Sequence, residues 1–412
     1  MRPARARGSA RRRGSCPPER HGCLRRCTTA RLPLHDRPPP SPRSPVTSSQ
    51  IIVLATPLFL AAIAFEWALG AARGRNTYRL ADAFASIGAG ALSQTSGVLV
   101  RAFTVGVYAL AYEHLALWRL PGDAWWVWLA ALLGYDLCYY AYHRAGHRVA
   151  VLWAAHAVHH QSEDYNLSTA LRQTSSGFVF GWVFYLPLAL LGVPPPVFGA
   201  VALVDLLYQF WVHTQQIGRL GWFDRWFCAP SNHRVHHAVN ERYVDRNYGG
   251  ILIVWDRLFG TFVEEDDAEP CVYGTRTPLA SWNPLWANLQ VYRELARDAW
   301  HARSWADKLR LWWMPPGWRP VDLAASQPRP AFDIARLVRY DPPLPRRAAW
   351  AAALLFAAML AASAALLWNA QRWSGTAAAA GVLAIAALLW AIASVSARRT
   401  GAAAPSERLG TR

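Results

Sequence analysis

Cysteine is scarce in this sequence, with six residues in a chain of 412. Three of them (Cys16, Cys23 and Cys27) lie in an arginine-rich N-terminal stretch, so the pattern excludes a disulfide scaffold. Charged residues are also few, at 17%, whereas hydrophobic residues make up 53%. That balance excludes a chain disordered along its whole length. The apolar residues are gathered into long runs rather than spread periodically, which indicates a membrane protein.

The positive charge is concentrated at the N-terminus. Residues 1–48 carry 12 Arg against two acidic residues, Glu19 and Asp36, in a chain whose formal net charge is +17. The stretch is rich in Pro and Ser and has no apolar periodicity, so we predict a basic disordered tail. We predict a second disordered tail at 398–412. The concentration of charge in a tail does not indicate a nucleic acid-binding protein.

Long apolar stretches predict the membrane helices. They cover residues 51–72, 87–112, 124–142, 177–212, 348–367 and 376–395. Three consecutive prolines at 194–196 interrupt the fourth stretch, and since proline bars the continuation of a helix, we expect a helical hairpin there. The last two stretches predict a second hairpin. The sequence therefore predicts an all-α, multi-pass membrane protein.

The distribution of Lys and Arg predicts the topology. A hairpin at 177–212 places the polar segments 143–176 and 214–347 on the same side of the membrane. Segment 214–347 carries 18 Lys/Arg, so the positive-inside rule predicts that this side is cytoplasmic. The same topology places the basic tail outside, against the rule. Either the tail is translocated, or residues 1–45 are untranslated and synthesis starts at Val46 from a valine codon.

Histidines form three clustered motifs. Nine of the 13 histidines fall within residues 143–237. The motifs are His143-x-x-x-His147, His156-x-x-His159-His160 and His233-x-x-His236-His237, and His213 follows the apolar stretch 177–212. Imidazoles spaced i, i+3 and i+4 share a helix face and suit Fe, Zn, Cu and Ni. Eight or nine ligands exceed the needs of one tetrahedral ion, so we expect two ions.

The other histidines carry no comparable pattern. We interpret His21, His35, His114 and His301 as surface or structural residues, which is the commoner role of an isolated histidine. The sequence contains no H-E-x-x-H, so the histidines do not indicate a zinc peptidase. The three clusters together predict a histidine-rich helical di-metal cap on the cytoplasmic side.

At these motifs the chain resembles the fatty acid hydroxylase/sterol desaturase superfamily of membrane di-iron oxygenases, whose signature is HxxxH, HxxHH and HxxHH. Longer strings are similar to the alkylglycerol monooxygenase-like members, which cleave ether lipids. These strings are HAVHHQSEDYNLSTALRQ at 156–173, LYQFWVHT at 207–214 and SNHRVHHAVNERYVDRNYGGILIVWDRLFGTF at 231–262. The resemblance extends over residues 51–272.

The resemblance implies a cofactor and ligand set. Two Fe ions would be bound by eight catalytic histidines, with His213 as a further ligand, and O2 would be the oxidant. The eight are His143, His147, His156, His159, His160, His233, His236 and His237. The electron donor would be a protein or a pterin. Animal members carry a glutamate that is implicated in tetrahydrobiopterin dependence, and this chain has Arg148 at that position. The resemblance therefore does not imply that this chain uses a pterin. They also carry a histidine where this chain has Asn232, a weaker ligand.

Several residues near the motifs have two interpretations. Glu163, Asp164 and Asp245 either orient imidazoles or are solvated surface carboxylates. The aromatic residues Tyr208, Phe210 and Trp211 either line a path for lipid or anchor the helix at the membrane surface.

Residues 301–347 combine tryptophans with nine Lys/Arg, and we predict that they lie on anionic lipid as part of a cytoplasmic interfacial segment at 273–347. The predicted organisation is thus a tail (1–48), an oxygenase core (51–272), an interfacial segment (273–347), a C-terminal transmembrane hairpin (348–397) and a second tail (398–412).

The predicted function is a membrane-bound di-iron monooxygenase acting on a lipid C–H bond. In ether-lipid cleavage, hydroxylation next to the ether oxygen gives a hemiacetal, which collapses to an aldehyde and an alcohol. The same histidines suit a hydroxylase or desaturase of fatty acids, sterols or carotenoids. An alternative of another class is a non-catalytic metal-binding membrane protein, such as a carrier. Carriers place their ligands near the bilayer midplane, whereas nearly all these histidines lie in polar segments.

Overall fold

The computed structural model describes residues 47–397, except for the side chains of residues 101, 102, 104 and 105. The predicted tail at 398–412 and nearly all of the predicted tail at 1–48 lie outside the described residues. Within 47–397 the chain contains no β-strand, only two isolated bridges that join Phe227 to Leu252 and Ala238 to Tyr273. The prediction of an all-α protein is therefore confirmed.

Fourteen α-helices lie within the described range. They are α1 (Ser48–Ala72), α2 (Leu80–Leu115), α3 (Trp125–Arg148), α4 (Ala150–His160), α5 (Leu167–Ala170), α6 (Phe178–Leu190), α7 (Pro195–Trp211), α8 (Pro230–His237), α9 (Val254–Leu258), α10 (Pro284–His301), α11 (Trp305–Trp313), α12 (Val321–Ser326), α13 (Arg346–Trp368) and α14 (Gly375–Ser396). Two short 3-10 helices lie at Phe223–Arg225 and Ile334–Arg336.

Four of the described helices are long and apolar enough to cross a membrane. They are α1, the first part of α2 (Leu80–Val100), α13 and α14. These helices support an integral membrane protein. The crossing predicted at 124–142 forms part of α3, which does not belong to this group, because Asp136 and a large share of Trp and Tyr lower its hydropathy.

The hairpin predicted at 177–212 is present as two shorter apolar helices, α6 and α7. Helix α7 starts with proline in its first turn, where the missing N–H costs no hydrogen bond. The turn between the helices contains Gly192 at φ +85°, and a Cβ there would lie 2.1 Å from the carbonyl oxygen of Trp118. Glycine is required at this position both by the backbone conformation and by the close approach.

The long helix α2 joins two apolar clusters. On one side it packs against the C-terminal pair α13 and α14, where the rings of Phe84 and Phe356 stack with centroids 4.2 Å apart. On the other side Tyr108 packs with α3, α6 and α7, and its ring stacks on Phe198 at 3.9 Å. The second cluster fixes α3 and α7, the two helices that lead to the histidine motifs.

One buried carboxylate joins α1 to the segments around the histidines. Glu66 is only 4% exposed and accepts hydrogen bonds from the hydroxyls of Tyr78 and Thr214 and from the backbone N–H of Leu167, the last at 2.8 Å. Thr214 directly follows His213, and Leu167 begins α5. A charged group in an apolar helix is tolerated here because three donors surround it.

We expect Glu66→Ala to lower the free energy of unfolding by about 3 kcal/mol, because it leaves three buried or half-buried donors without their acceptor. The measurement is denaturant or thermal unfolding of the purified protein in detergent. Glu113→Ala, at an exposed position near the end of α2, is the matched control and should unfold as the parent does. Equal stability of the two variants would contradict the role given to Glu66.

Candidate metal centre

The nine clustered histidines come together from four parts of the fold. His143 and His147 lie in the last turns of α3, and α4 carries its three histidines in its last two turns. Helix α8 carries the third motif, and His213 follows α7. Eight of the nine side chains are buried, and His156 is partly buried.

The imidazoles form two groups, within each of which the ligand atoms lie within 4.8 Å of one another. The first group contains His143, His147, His156, His160 and His236. The second group contains His159, His213, His233 and His237. All nine histidines singled out from the sequence belong to one of these groups.

Backbone carbonyl groups fix the orientation of four imidazoles. Nδ1 of His143 lies 2.8 Å from the carbonyl oxygen of Tyr248, and Nδ1 of His159 lies 2.9 Å from that of Arg172. The corresponding distances are 2.8 Å for His213 to Gln209 and 2.9 Å for His236 to Arg246. Since a carbonyl oxygen only accepts, each Nδ1 carries the proton and each Nε2 presents a lone pair.

These lone pairs face one another. Nε2 of His159 and Nε2 of His213 are 3.2 Å apart, although both rings already hold their proton on Nδ1. No proton is left to form a hydrogen bond between them, so two lone pairs meet in a buried site. Nε2 of His147 and of His236 are buried and have no hydrogen-bond partner. Unpaired buried lone pairs are costly, and a cation placed among them removes that cost.

Burial favours the neutral form of the imidazoles in the second group. Desolvation lowers the pKa of His159 to about 4, and it lowers the pKa of the other second-group histidines well below the ordinary value. Neighbouring imidazoles lower these pKa values further in His213, His233 and His237. Neutral imidazole is the form that binds a metal ion. The two histidine groups therefore have the donor set and the convergence that a metal site requires.

The three carboxylates near the motifs differ in position. Asp245 lies against the centre, with an oxygen 3.6 Å from Nδ1 of His147, and its other oxygen pairs with Arg148 at 3.1 Å. These contacts lower the pKa of Asp245 despite its burial. Glu163 and Asp164 pair instead with Arg79. They join the loop after α4 to the start of α2 and do not orient an imidazole.

Asn232 does not belong to either histidine group. Its side-chain oxygen accepts from the backbone N–H of Ala229 at 3.0 Å, and its amide donates to the carbonyl oxygen of Asp224 at 3.4 Å. Both bonds stabilise the start of α8. This structural function of Asn232 was not evident from the sequence.

Asp256, which the sequence did not single out, holds the backbone segment whose carbonyl group orients His143. Asp256 is fully buried and accepts from the backbone N–H groups of Tyr248 and Gly249, at 2.8 and 2.7 Å, and from the Thr261 hydroxyl at 2.6 Å. The carbonyl of Tyr248 in turn accepts from His143. The sequence did not reveal this role, because Asp256 binds mainly backbone N–H groups and belongs to no spaced motif.

An apolar cavity of about 700 Å³ leads to the centre. Its wall is built mainly from α1, α2, α3, α6, α7 and α13, and it reaches His143, His156, His159 and His213. Of the three aromatic residues at the end of α7, only Phe210 lines it. Tyr208 instead donates to the carbonyl oxygen of Cys228 at 2.8 Å, and Trp211 packs on Phe223. The volume and lining suit an alkyl chain arriving from the bilayer.

Residues 128–261 match the family model described as fatty acid hydroxylase. The chain is 40% identical over 270 residues to alkylglycerol monooxygenase of Homo sapiens, and the aligned region covers 65% of this chain and 59% of that protein. It is 32% identical over 288 residues to alkylglycerol monooxygenase of Caenorhabditis elegans, covering 65% of this chain and 56% of that protein. Ornithine lipid hydroxylase OlsE of Rhizobium tropici is 31% identical over 170 residues, covering 39% of this chain and 48% of that protein. The chain thus spans less than two thirds of the length of these relatives. No solved structure gives a significant match to it.

Proposed function

We propose that the protein is a membrane-bound di-iron monooxygenase of ether lipids, because residues 128–261 match the fatty acid hydroxylase family model and the chain is similar to alkylglycerol monooxygenases. The observation that carries this proposal is the pair of histidine groups, with facing lone pairs, at the end of an apolar cavity. Metal binding accounts for buried lone pairs that face one another, and a lipid substrate accounts for an apolar cavity that ends at the histidines.

The histidine groups would each hold one iron, the first with up to five imidazoles and the second with four. When bound, two irons supplied with electrons activate O2 for attack on an unactivated C–H bond. The protein orients the imidazoles through carbonyl groups, and it keeps the site buried so that stray water is excluded. The apolar cavity brings one carbon of the chain to the centre and restricts its motion.

The substrate we propose is a 1-O-alkylglycerol. Hydroxylation of the carbon next to the ether oxygen would give a hemiacetal, which breaks down to a fatty aldehyde and glycerol. The similarity to relatives named alkylglycerol monooxygenase supports this substrate. Acyl-chain hydroxylation is the second candidate, since relatives named ornithine lipid hydroxylase and fatty acid hydroxylase also match.

We also propose that the metal centre faces the cytoplasm, on the basis of the 18 Lys/Arg in segment 214–347. Segment 273–347 would lie at the membrane surface. Trp305, Leu309 and Trp313 are all more than 60% exposed and recur every four residues along α11, beside Lys308 and Arg310. An exposed apolar face rich in tryptophan and flanked by cations suits an anionic lipid surface.

The function is tested by incubating membranes that contain the protein with O2, a reductant and a 1-O-alkylglycerol. We expect release of a fatty aldehyde that depends on the protein. A fatty acid and a diacyl lipid are run in parallel. Oxidation of these lipids without any aldehyde from the ether would replace the proposed substrate by an acyl chain. Absence of oxidation in all three would contradict the oxygenase.

We expect Ala202→Phe to raise the KM for long-chain alkylglycerols several-fold, and to do so less for short-chain ones. Ala202 lines the apolar cavity from α7, so a phenyl ring there would occupy space that the alkyl chain needs. Val204→Phe is the matched control on the same helix, because Val204 is 50% exposed and does not line the cavity. If both variants raised the KM equally, or if neither raised it, the alkyl chain would not bind in the apolar cavity.

A further inference from the structure

Two side-chain amides in the wall of the apolar cavity are available to a ligand. Gln94 belongs to α2 and Gln173 to the segment after α5, and both line the cavity. Within the part of the chain that the structure describes, the amide of Gln94 has no hydrogen-bond partner. The amide nitrogen of Gln173 donates to the carbonyl oxygen of Ala170 at 3.1 Å, which leaves its second hydrogen and its oxygen unused. We call Gln94 and Gln173 the amide pair.

Most other polar side chains of this wall are already bonded within the protein. The hydroxyl of Tyr139 donates to the side-chain oxygen of Gln209 at 2.6 Å, and the amide nitrogen of Gln209 donates to Asp205 at 2.6 Å. The hydroxyl of Tyr108 donates to a backbone carbonyl oxygen at 3.0 Å. The amide pair is therefore the part of the wall best able to bond a polar ligand.

Contacts between α2 and the segment after α5 hold the amide pair side by side. The hydroxyl of Ser93 donates to the carbonyl oxygen of Thr174 at 2.6 Å, and each of these residues is the chain neighbour of one member of the pair. One turn earlier, a Cβ on Gly90 would lie 2.1 Å from the carbonyl oxygen of Leu171. Glycine allows this close approach, and the two amides thus enter the cavity from adjoining backbones.

The amide pair also lies close to the histidines. Gln173 follows Arg172, whose carbonyl oxygen is 2.9 Å from Nδ1 of His159. In a 1-O-alkylglycerol the two hydroxyl oxygens are four and five bonds away from the chain carbon next to the ether oxygen. A site for these hydroxyls must therefore lie near the histidines if that carbon is to be oxidised there. The amide pair meets this requirement.

The charge of the wall favours an uncharged head group. The described residues that line the cavity include no Lys or Arg, and Asp205 is their only carboxylate. A carboxylate or phosphate head group would therefore be buried without a cationic side chain beside it, which is costly. A vicinal diol carries no charge, and each hydroxyl both donates and accepts, as each carboxamide does.

We infer that the amide pair binds the two free hydroxyls of a 1-O-alkylglycerol and selects this head group over charged ones. The inference rests on the proposed function and adds to it the residues that place the substrate. A head group held through both hydroxyls fixes which carbon of the chain faces the histidines. The alkyl chain then extends along α1, α7 and α13, which form an apolar part of the wall.

Equilibrium binding to the metal-free protein in detergent tests the inference without turnover. Radiolabelled 1-O-hexadecylglycerol is the probe. The competitors are unlabelled 1-O-hexadecylglycerol, palmitate and hexadecyl propyl ether, which has the same skeleton as the probe without its two hydroxyls. We expect the parent to prefer the alkylglycerol over the propyl ether by about tenfold, because only the former bonds to the amides. Palmitate should compete more weakly than the alkylglycerol.

Two variants locate the preference. Gln94→Leu and Gln173→Leu keep much of the side-chain shape but remove its donor and acceptor, so each should lower the preference to about threefold. Gln371→Leu is the matched control, since Gln371 is exposed between α13 and α14 and lies outside the cavity lining. It should keep the parental preference.

A turnover test separates this inference from the proposed function. In the iron-loaded protein, each cavity variant should raise the KM for 1-O-hexadecylglycerol about threefold and leave that for hexadecyl propyl ether unchanged. Equal binding of the two ethers or of palmitate by the parent, or the parental preference in both variants, would overturn the inference. The parental comparison needs no variant, so it decides the question even where a variant fails to fold. Failure of the iron-loaded parent to oxidise any lipid would instead overturn the proposed function.

Discussion

Replacing His236 by alanine is expected to weaken metal binding in one of the two histidine groups and to abolish lipid oxidation. His236 belongs to the first histidine group, and its Nε2 is buried without a protein partner. His159→Ala should do the same through the second group. Each variant leaves the ligands of the other ion in place, and a centre that needs two ions to activate O2 cannot work with one. Metal analysis of the purified variants, together with lipid turnover, measures both effects.

His301→Ala is the matched control for these variants. His301 is exposed at the end of α10, and its Nδ1 bonds only to the carbonyl oxygen of Arg297, at 2.7 Å. The control should retain both the metal and the activity. All three variants should insert into membranes as the parent does, because none of the three substituted histidines lies in one of the four described spans that are long and apolar enough to cross a membrane. Normal turnover in His159→Ala or His236→Ala would refute the ligand assignment.

We expect Asp256→Ala to lower the free energy of unfolding by about 3 kcal/mol or more and to weaken metal retention in the first group. Its carboxylate accepts from two backbone N–H groups and one hydroxyl at a site with no solvent exposure, so alanine strands three buried donors. Once Tyr248 is released, its carbonyl no longer fixes His143. Unfolding curves and metal analysis at increasing chelator concentration measure the two effects.

Asp256→Asn tests the electrostatic part of this prediction. The amide has nearly the same shape, but its NH2 group would face donors instead of accepting from them, so asparagine should restore little stability. Asp267→Ala is the control, because Asp267 is 91% exposed and pairs only with Arg219, at 3.1 Å. Wild-type chelator resistance in Asp256→Ala would show that the Tyr248 carbonyl does not orient His143.

The helices were predictable where burial in lipid or in the core dictates composition. Uninterrupted apolar runs predicted α1, α13 and α14, and the prolines at 194–196 predicted the break between α6 and α7. Helix ends were harder to place. Helix α3 runs to Arg148, beyond the apolar stretch, because its last turns are buried among other histidines rather than in lipid.

The nine histidines were predictable because spacing on a helix fixes which imidazoles share a face. The i, i+4 pairs behave in this way: His156 joins His160, and His233 joins His237. The division into two groups was not predictable. His159 belongs to the second group although His156 and His160 of its motif belong to the first, and His236 belongs to the first group although His233 and His237 belong to the second. The cause is that successive residues on a helix point about 100° apart. Which group each one joins depends on how α4 and α8 pack, and that is a tertiary property.

The supporting contacts were the least predictable part of the site. Four imidazoles are oriented by backbone carbonyl groups, those of Tyr248, Arg172, Gln209 and Arg246. Every residue has a backbone carbonyl, so the amino-acid type at these positions does not indicate the contact. Of the carboxylates near the motifs, Asp245 contacts His147, whereas Glu163 and Asp164 bind Arg79. Proximity in sequence could not distinguish them, because the loop after α4 turns away from the centre.

A single-turnover experiment tests the central claim most directly. Purified protein is loaded anaerobically with ferrous iron, freed of excess metal and mixed with O2 and a 1-O-alkylglycerol in the absence of any reductant. Two ferrous ions carry the two electrons that one oxygen insertion consumes. We therefore predict two irons per chain and about one fatty aldehyde for every two irons. A chain that retains no iron, or an aldehyde yield that does not depend on iron, would contradict the account.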